Sequence, residues 1–204
     1  MRVLRCGLDA VLVELAGREQ VLGLRAALRR ARPDGVTELV PAARTLLIRY
    51  DRRRLTPTRI ESLLADLPTE VTAEEAPREL IVPVRYDGAD LAEVAGLSGL
   101  SCRDVVRGHL DAEYMVAFCG FAPGFAYLTG LDPALRLPRR DTPRTQVPAG
   151  SVAIADEYTG VYPRSSPGGW HLIGSSDLVV WDLTRDPVAL LSPGTRVRFE
   201  EVGR

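Results

Sequence analysis

The sequence predicts an α+β protein in two parts: a small ferredoxin-like α/β domain over residues 1–76, then a β-barrel or sandwich over residues 77–204. Two observations carry this. Strand-like and helix-like segments alternate in the first part, whereas the second is dominated by short apolar runs split by turn residues. Composition also shifts near residue 76: four glycines and four prolines precede it, fourteen and eleven follow.

The first part begins with a β-branched and leucine run, Ala10–Leu15, read as a strand. Glu19–Arg32 is rich in alanine, leucine and arginine, and Val21, Leu24, Leu28 and Ala31 share one helical face. Pro33, Asp34 and Gly35 end that helix. Val36–Val40 and Thr45–Tyr50 read as two strands around a short turn. Thr56 is an N-cap with Pro57 at the first helical position, and Ile60, Leu63, Leu64 and Leu67 lie inside. The order β-α-β-β-α is the basis of the ferredoxin-like expectation.

Residues 69–77, TEVTAEEAP, are acidic and turn-prone and read as a linker. Glu79–Tyr86 follows as a strand, Asp90–Ala95 and Ser101–Leu110 as short helices with capping residues at their starts, and Tyr114–Cys119 as a strand. Further strands are expected at Val147–Ala155, Thr159–Tyr162, Trp170–Gly174, Leu178–Asp182 and Arg196–Val202.

Composition excludes several chemistries. All 26 basic residues are arginine, so the chain has no lysine for a phosphate loop or a Schiff base. It has no asparagine either. A net charge of −1 argues against a nucleic-acid-binding domain. The cysteines, Cys6, Cys102 and Cys119, are odd in number and form no C-x-x-C, so neither a disulfide framework nor a thiolate metal site is expected. With no signal-peptide pattern and no apolar run of spanning length, a cytoplasmic protein is expected. Two histidines with no third ligand nearby make no metal site.

Residues 118–174 concentrate glycine, proline, aromatics and arginine, a mixture suited to a shaped pocket on loops between short strands. Phe121, Phe125, Tyr127, Tyr162 and Trp170 supply rigid apolar walls. Arg139, Arg144 and Arg164 supply forked donors for a carboxylate or phosphate, while Arg140 reads as a solvated loop residue. Gly168 and Gly169 beside Ser165 and Ser166 suit an anion nest or, equally, a tight turn. Ser151 is a polar candidate for the same wall, but it lacks the G-x-S-x-G context of a nucleophile.

The ordered runs GFAPGFAYLTGLDP, TPR, VPAGSVAIA, TGVYPRSSPGGWHLIG and SPGTRVRF resemble the allophanate hydrolase subunit 1 family, and the resemblance covers essentially the whole chain. Its members include 5-oxoprolinase subunits of the PxpB type and KipI-type kinase inhibitors, and the module also forms half of a urea-carboxylase carboxyltransferase region. The resemblance implies a cyclophilin-like β-barrel for the second domain. It implies a subunit of an ATP-dependent 5-oxoprolinase that opens 5-oxo-L-proline to L-glutamate, inactive alone and working with a PxpC-like subunit 2 homologue and a PxpA-like protein. ATP is the cofactor of that complex. A histidine is common in the family at the place of His109, which makes it the catalytic candidate for acid–base work, against a plain role at a helix end. Ala126, the run Asp156–Tyr158, and Ser175 depart from the family pattern.

Overall fold

A computed structural model of the chain describes residues 1–68 and 78–203, so the expected linker lies outside the described residues. The chain divides into two compact units at the boundary between residues 76 and 77.

In the first unit the strands are β1 (Arg2–Cys6), β2 (Ala10–Glu14), β3 (Val36–Pro41) and β4 (Thr45–Tyr50), and the helices are α1 (Arg18–Ala31) and α2 (Pro57–Ala65). Val21, Leu24, Ala27 and Leu28 bury one stripe of α1, whereas Ala31 is exposed at its end. The Thr56 hydroxyl caps α2 by accepting from the Arg59 amide at 3.2 Å, with Pro57 following it. The sheet is antiparallel in the order β1-β2-β4-β3. The expected β-α-β-β-α order is present from β2 to α2, but an additional N-terminal strand, β1, occupies the edge beside β2. A ferredoxin-like sheet would fill that edge from a strand after the second helix. The signal for β1 is weak because Arg2, Arg5 and Cys6 leave it largely exposed. Val11, Val13, Leu24, Leu28, Leu46, Ile48, Ile60 and Leu64 form this unit's core.

The second unit holds β5 (Glu79–Val84), α3 (Leu91–Ser98), α4 (Cys102–Leu110), β6 (Tyr114–Cys119), β7 (Ala126–Thr129), a 3-10 turn at Pro133–Leu135, β8 (Arg144–Val147), β9 (Ser151–Ala155), β10 (Tyr158–Val161), β11 (Ser166–Gly168), β12 (His171–Ser175) and β13 (Arg196–Glu201). Seven strands form one sheet in the order β12-β9-β10-β7-β6-β13-β5. Its two ends meet: Arg85, just past β5, exchanges both backbone hydrogen bonds with Ser175 of β12, each at 2.8 Å. The sheet is thereby a nearly closed barrel with few free edges. Gly174 is required at this seam, because a Cβ there would lie 2.5 Å from the Arg85 carbonyl oxygen. β8 and β11 pair outside the barrel as a two-stranded ribbon.

The run Leu178–Asp182, expected as a strand, makes only an isolated bridge between Trp181 and Ala189. Its polar-flanked apolar residues meet no continuous partner strand, and Val179 is left 57% exposed. Conversely β7, β8 and β11 exist although β7 and β8 are only four residues long, β8 is largely polar, and β11 is the tripeptide Ser-Pro-Gly.

Candidate functional site

The residues of the 118–174 stretch separate into three groups. The first is aromatic. Phe125 is buried at the centre, with ring centroids of Phe121 and Trp170 at 5.3 Å and of Tyr127 and Tyr162 at 5.2 Å, all edge-on. This is the geometry that ring quadrupoles favour. Phe121 stands apart in exposure, at 60%, and its backbone lies at φ 65°. A bulky residue in the left-handed region is uncommon and strained, and such strain marks positions held by their surroundings. Gly160 lets this cluster close, since a Cβ there would crowd the Phe125 and Trp170 rings at 3.2 and 3.3 Å.

The second group is polar and lies on the β8–β11 ribbon. Register places Gly168 opposite Arg144, and any side chain at Gly168 would collide with the Tyr162 hydroxyl. Burial raises the Tyr162 phenol above its ordinary value, with the charges of Arg139 and Arg144 opposing that shift. The structure therefore sets Gly168 against Tyr162 and across from Arg144, with Tyr162 and Trp170 packed on Phe125. Arg139 is exposed, 3.7 Å from Asp156. Gly169 accepts at its carbonyl from the Arg140 amide at 2.8 Å.

Arg144 is anchored by a residue that sequence reasoning did not connect to it. Asp90, 2% exposed, precedes α3, but its carboxylate does not cap that helix. Oδ1 accepts from Arg144 Nη2 at 2.6 Å and Arg140 Nη1 at 2.9 Å, and Oδ2 accepts from Arg144 Nη1 at 2.8 Å and the Leu172 amide at 2.7 Å. Arg140 also pairs with Glu93. Burial would raise the Asp90 carboxyl, but the hydrogen bonds from Arg144 and Leu172 and the two guanidinium charges outweigh it and hold the group below the usual carboxylate range. Arg140 is thus an ion-paired, largely covered residue and not a solvated one. The only sequence signal for Asp90 was an acidic residue before an apolar helix. Nothing local ties residue 90 to residues 140 and 144, which lie fifty and more positions away.

The third group is placed elsewhere. His109 is fully buried in the barrel. The Thr159 hydroxyl donates to the Ala153 carbonyl at 3.1 Å, so its oxygen accepts from His109 Nε2–H at 2.9 Å. Nδ1 is then the acceptor for the Tyr86 hydroxyl at 2.8 Å. The ring also lies 4.4 Å from Phe199, centroid to centroid. Burial pushes its pKa down to about 3, so it is neutral at pH 7. With both nitrogens engaged and no exposed atom, the ring is placed as a core element, where acid–base work or a role at the helix end was expected. Ser151 is also spent structurally: it is buried and donates to the Pro148 carbonyl at 2.9 Å. Arg164 is exposed in the turn before β11, where its carbonyl accepts from the Ser166 hydroxyl at 3.5 Å. His171 hydrogen-bonds the Pro138 carbonyl through Nε2 at 3.0 Å.

An open cleft of about 490 Å³ between α4 and the 3-10 turn is lined by Asp104, Arg107, Asp111 and Asp132 and by none of the aromatic cluster. Among the described residues no group of histidine, cysteine or carboxylate side chains has the arrangement of a metal site, and no helix is long and apolar enough to cross a membrane.

A family model described as the carboxyltransferase domain, subdomain C and D, matches residues 1–191. The B subunit of 5-oxoprolinase from Escherichia coli O157:H7 is 42% identical over 191 residues, covering 92% of this chain and 87% of its own. The protein of the same name from Bacillus subtilis strain 168 is 37% identical over 183 residues, 82% of this chain and 76% of its own. Among solved structures, TTHA0988 matches with a TM-score of 0.84 at 43% identity; the match covers 96% of this chain, which spans 40% of the longer TTHA0988 chain. PH0987 from Pyrococcus horikoshii, at 33% identity and a TM-score of 0.60, is covered over 98% of its length by the whole of this chain. The urea carboxylase of Kluyveromyces lactis shares the fold at a TM-score of 0.73 and 21% identity, with this chain spanning 22% of it.

Proposed function

Because this chain belongs to the family of carboxyltransferase subdomains C and D, alongside the B subunits of 5-oxoprolinases, we propose that it is the B-type subunit of an ATP-dependent 5-oxoprolinase. The complex opens the lactam ring of 5-oxo-L-proline to give L-glutamate. The observation that carries this reading is 42% identity to a 5-oxoprolinase B subunit across 92% of the chain. The barrel supports it as the cyclophilin-like architecture the family implies.

Ring opening of a lactam needs donors at the carbonyl oxygen, a hold on the substrate carboxylate and a region that excludes water from an activated intermediate. The exposed Phe121 edge above Phe125, Tyr162 and Trp170 offers apolar wall. Arg139, Arg144 and Arg164 are cationic donors carried by the same glycine-, proline- and aromatic-rich stretch as that wall. With no lysine, this chain has no side chain of the phosphate-loop type. Nucleotide chemistry is therefore assigned to the assembled complex, with a PxpC-like subunit and a PxpA-like protein as partners.

The test is co-expression with those two partners and measurement of ATP-dependent glutamate release from 5-oxoproline. The expected result is turnover by the complex and none by the chain alone. Full turnover by the isolated chain, or none in any combination, would overturn the reading; the second outcome is what a KipI-type kinase inhibitor or a carboxyl-transfer subunit would give.

A further inference from the structure

We propose that Asp90 is a positioning residue for Arg144: it fixes the guanidinium so that one donor edge is spent inside the protein and the other is kept for a small carboxylate ligand. The proposal rests on the reading of the site given above.

A guanidinium has two ways to fork a carboxylate. The end-on fork uses Nη1 and Nη2 together, and the side-on fork uses Nε with one Nη. In Arg144 the end-on fork goes to Asp90, at 2.8 and 2.6 Å. No partner engages Nε among the described residues, and the side chain stays 26% exposed. Arg144 is thus held rigidly by one edge while the other is uncommitted. Such an arrangement lowers the rotamer entropy lost when a ligand binds.

Asp90 is suited to this and to little else. Each of its oxygens accepts two hydrogen bonds, so no lone pair is left for a proton or a ligand. It is not a general base. Its four donors come from β8, from the loop before β8 and from β12, so one carboxylate ties the ribbon that carries Gly168 to the barrel. Glu93, pairing with Arg140, supplies a second negative charge, and the two acids and two arginines balance. A ligand carboxylate on the free edge therefore adds one negative charge to a cluster that is neutral and geometrically set. Aspartate length matters: a glutamate would move the acceptor oxygens by about one methylene.

The test uses Asp90→Asn, Asp90→Glu, Arg144→Gln and the double variant Asp90→Asn/Arg144→Gln. In the isolated chain, labelling by phenylglyoxal is mapped by mass spectrometry, with exposed Arg164 as the internal reference. Labelling of Arg144 relative to Arg164 should rise roughly tenfold in Asp90→Asn and less in Asp90→Glu. In the reconstituted complex, KM for 5-oxoproline should rise roughly tenfold in Asp90→Asn with a smaller change in kcat, and the double variant should match Arg144→Gln alone. Unchanged labelling of Arg144 in whichever Asp90 variant stays folded, or KM effects that simply multiply, would overturn the proposal. If the wild-type complex releases no glutamate, the functional reading fails, and the labelling still decides whether Asp90 sets Arg144.

Discussion

The Tyr86 hydroxyl lies 2.8 Å from Nδ1 of His109, so the one lone pair of that imidazole is already used inside the barrel. With Nε2–H given to Thr159, the ring is locked as a neutral hydrogen-bonding spacer between a tyrosine and a β-strand. A histidine that the family resemblance offered as a catalyst is a strut.

This gives a pH prediction. The His109 pKa falls to about 3 in the folded state from an ordinary value of 6.5, with burial as the cause. A depressed histidine pKa means that the unfolded chain binds the proton first, so the stability contribution is complete above pH 6.5 and is lost progressively as pH falls towards 3. The slope approaches about 1.4 kcal/mol per pH unit. Denaturant midpoints between pH 7 and 5, above the main carboxylate range, should fall in the wild type and stay flatter in His109→Gln. Equal slopes in both proteins would show that His109 is not the group responsible.

Arg144 and Arg164 should behave differently on truncation. Arg144→Ala removes two hydrogen bonds from a carboxylate that is 2% exposed and should cost about 2–4 kcal/mol of stability as well as activity. Arg164→Ala alters an exposed side chain and should leave stability within about 0.5 kcal/mol. Chemical denaturation of the two variants side by side decides it; similar losses would contradict the burial of the Asp90 pair.

Phe121→Gly should separate folding from function. Glycine relieves the left-handed strain at φ 65° but adds entropy to the unfolded chain, so stability should change by no more than about 1 kcal/mol. Turnover of the assembled complex should fall by roughly tenfold or more, because the exposed wall of the site is gone. Full activity with an unchanged KM would remove Phe121 from the site.

Ser151→Ala should lose about 1 kcal/mol from the missing hydrogen bond to Pro148 and keep its turnover. Loss of turnover by several orders of magnitude in a folded variant would instead make Ser151 a nucleophile.

Much of the architecture was legible along the chain, because it depends on short-range physics. The Thr56–Pro57 start of α2, the apolar stripe of Val21, Leu24 and Leu28, and the strand Tyr114–Cys119 each follow from capping, helical period or β-branched content within a few residues. The aromatic cluster was legible for the same reason: Phe121, Phe125, Tyr127, Tyr162 and Trp170 belong to one motif-rich stretch, and the other four rings pack on Phe125. Strands β1, β7, β8 and β11 were not, since strands this short or this exposed owe their existence to a neighbour's hydrogen bonds and not to their own pattern.

The sequence by itself determined the two-part organisation at the level of composition, the family, and which side chains could line an apolar wall. Only the tertiary structure decided which polar residues are available to that wall. It buried His109 between Tyr86 and Thr159, turned Ser151 onto Pro148, and set Asp90 against Arg140 and Arg144 across fifty and more residues of chain. The physical reason is that an ionisable group's role is set by its dielectric surroundings and its hydrogen-bond partners, and in a barrel those partners arrive from strands far apart in sequence.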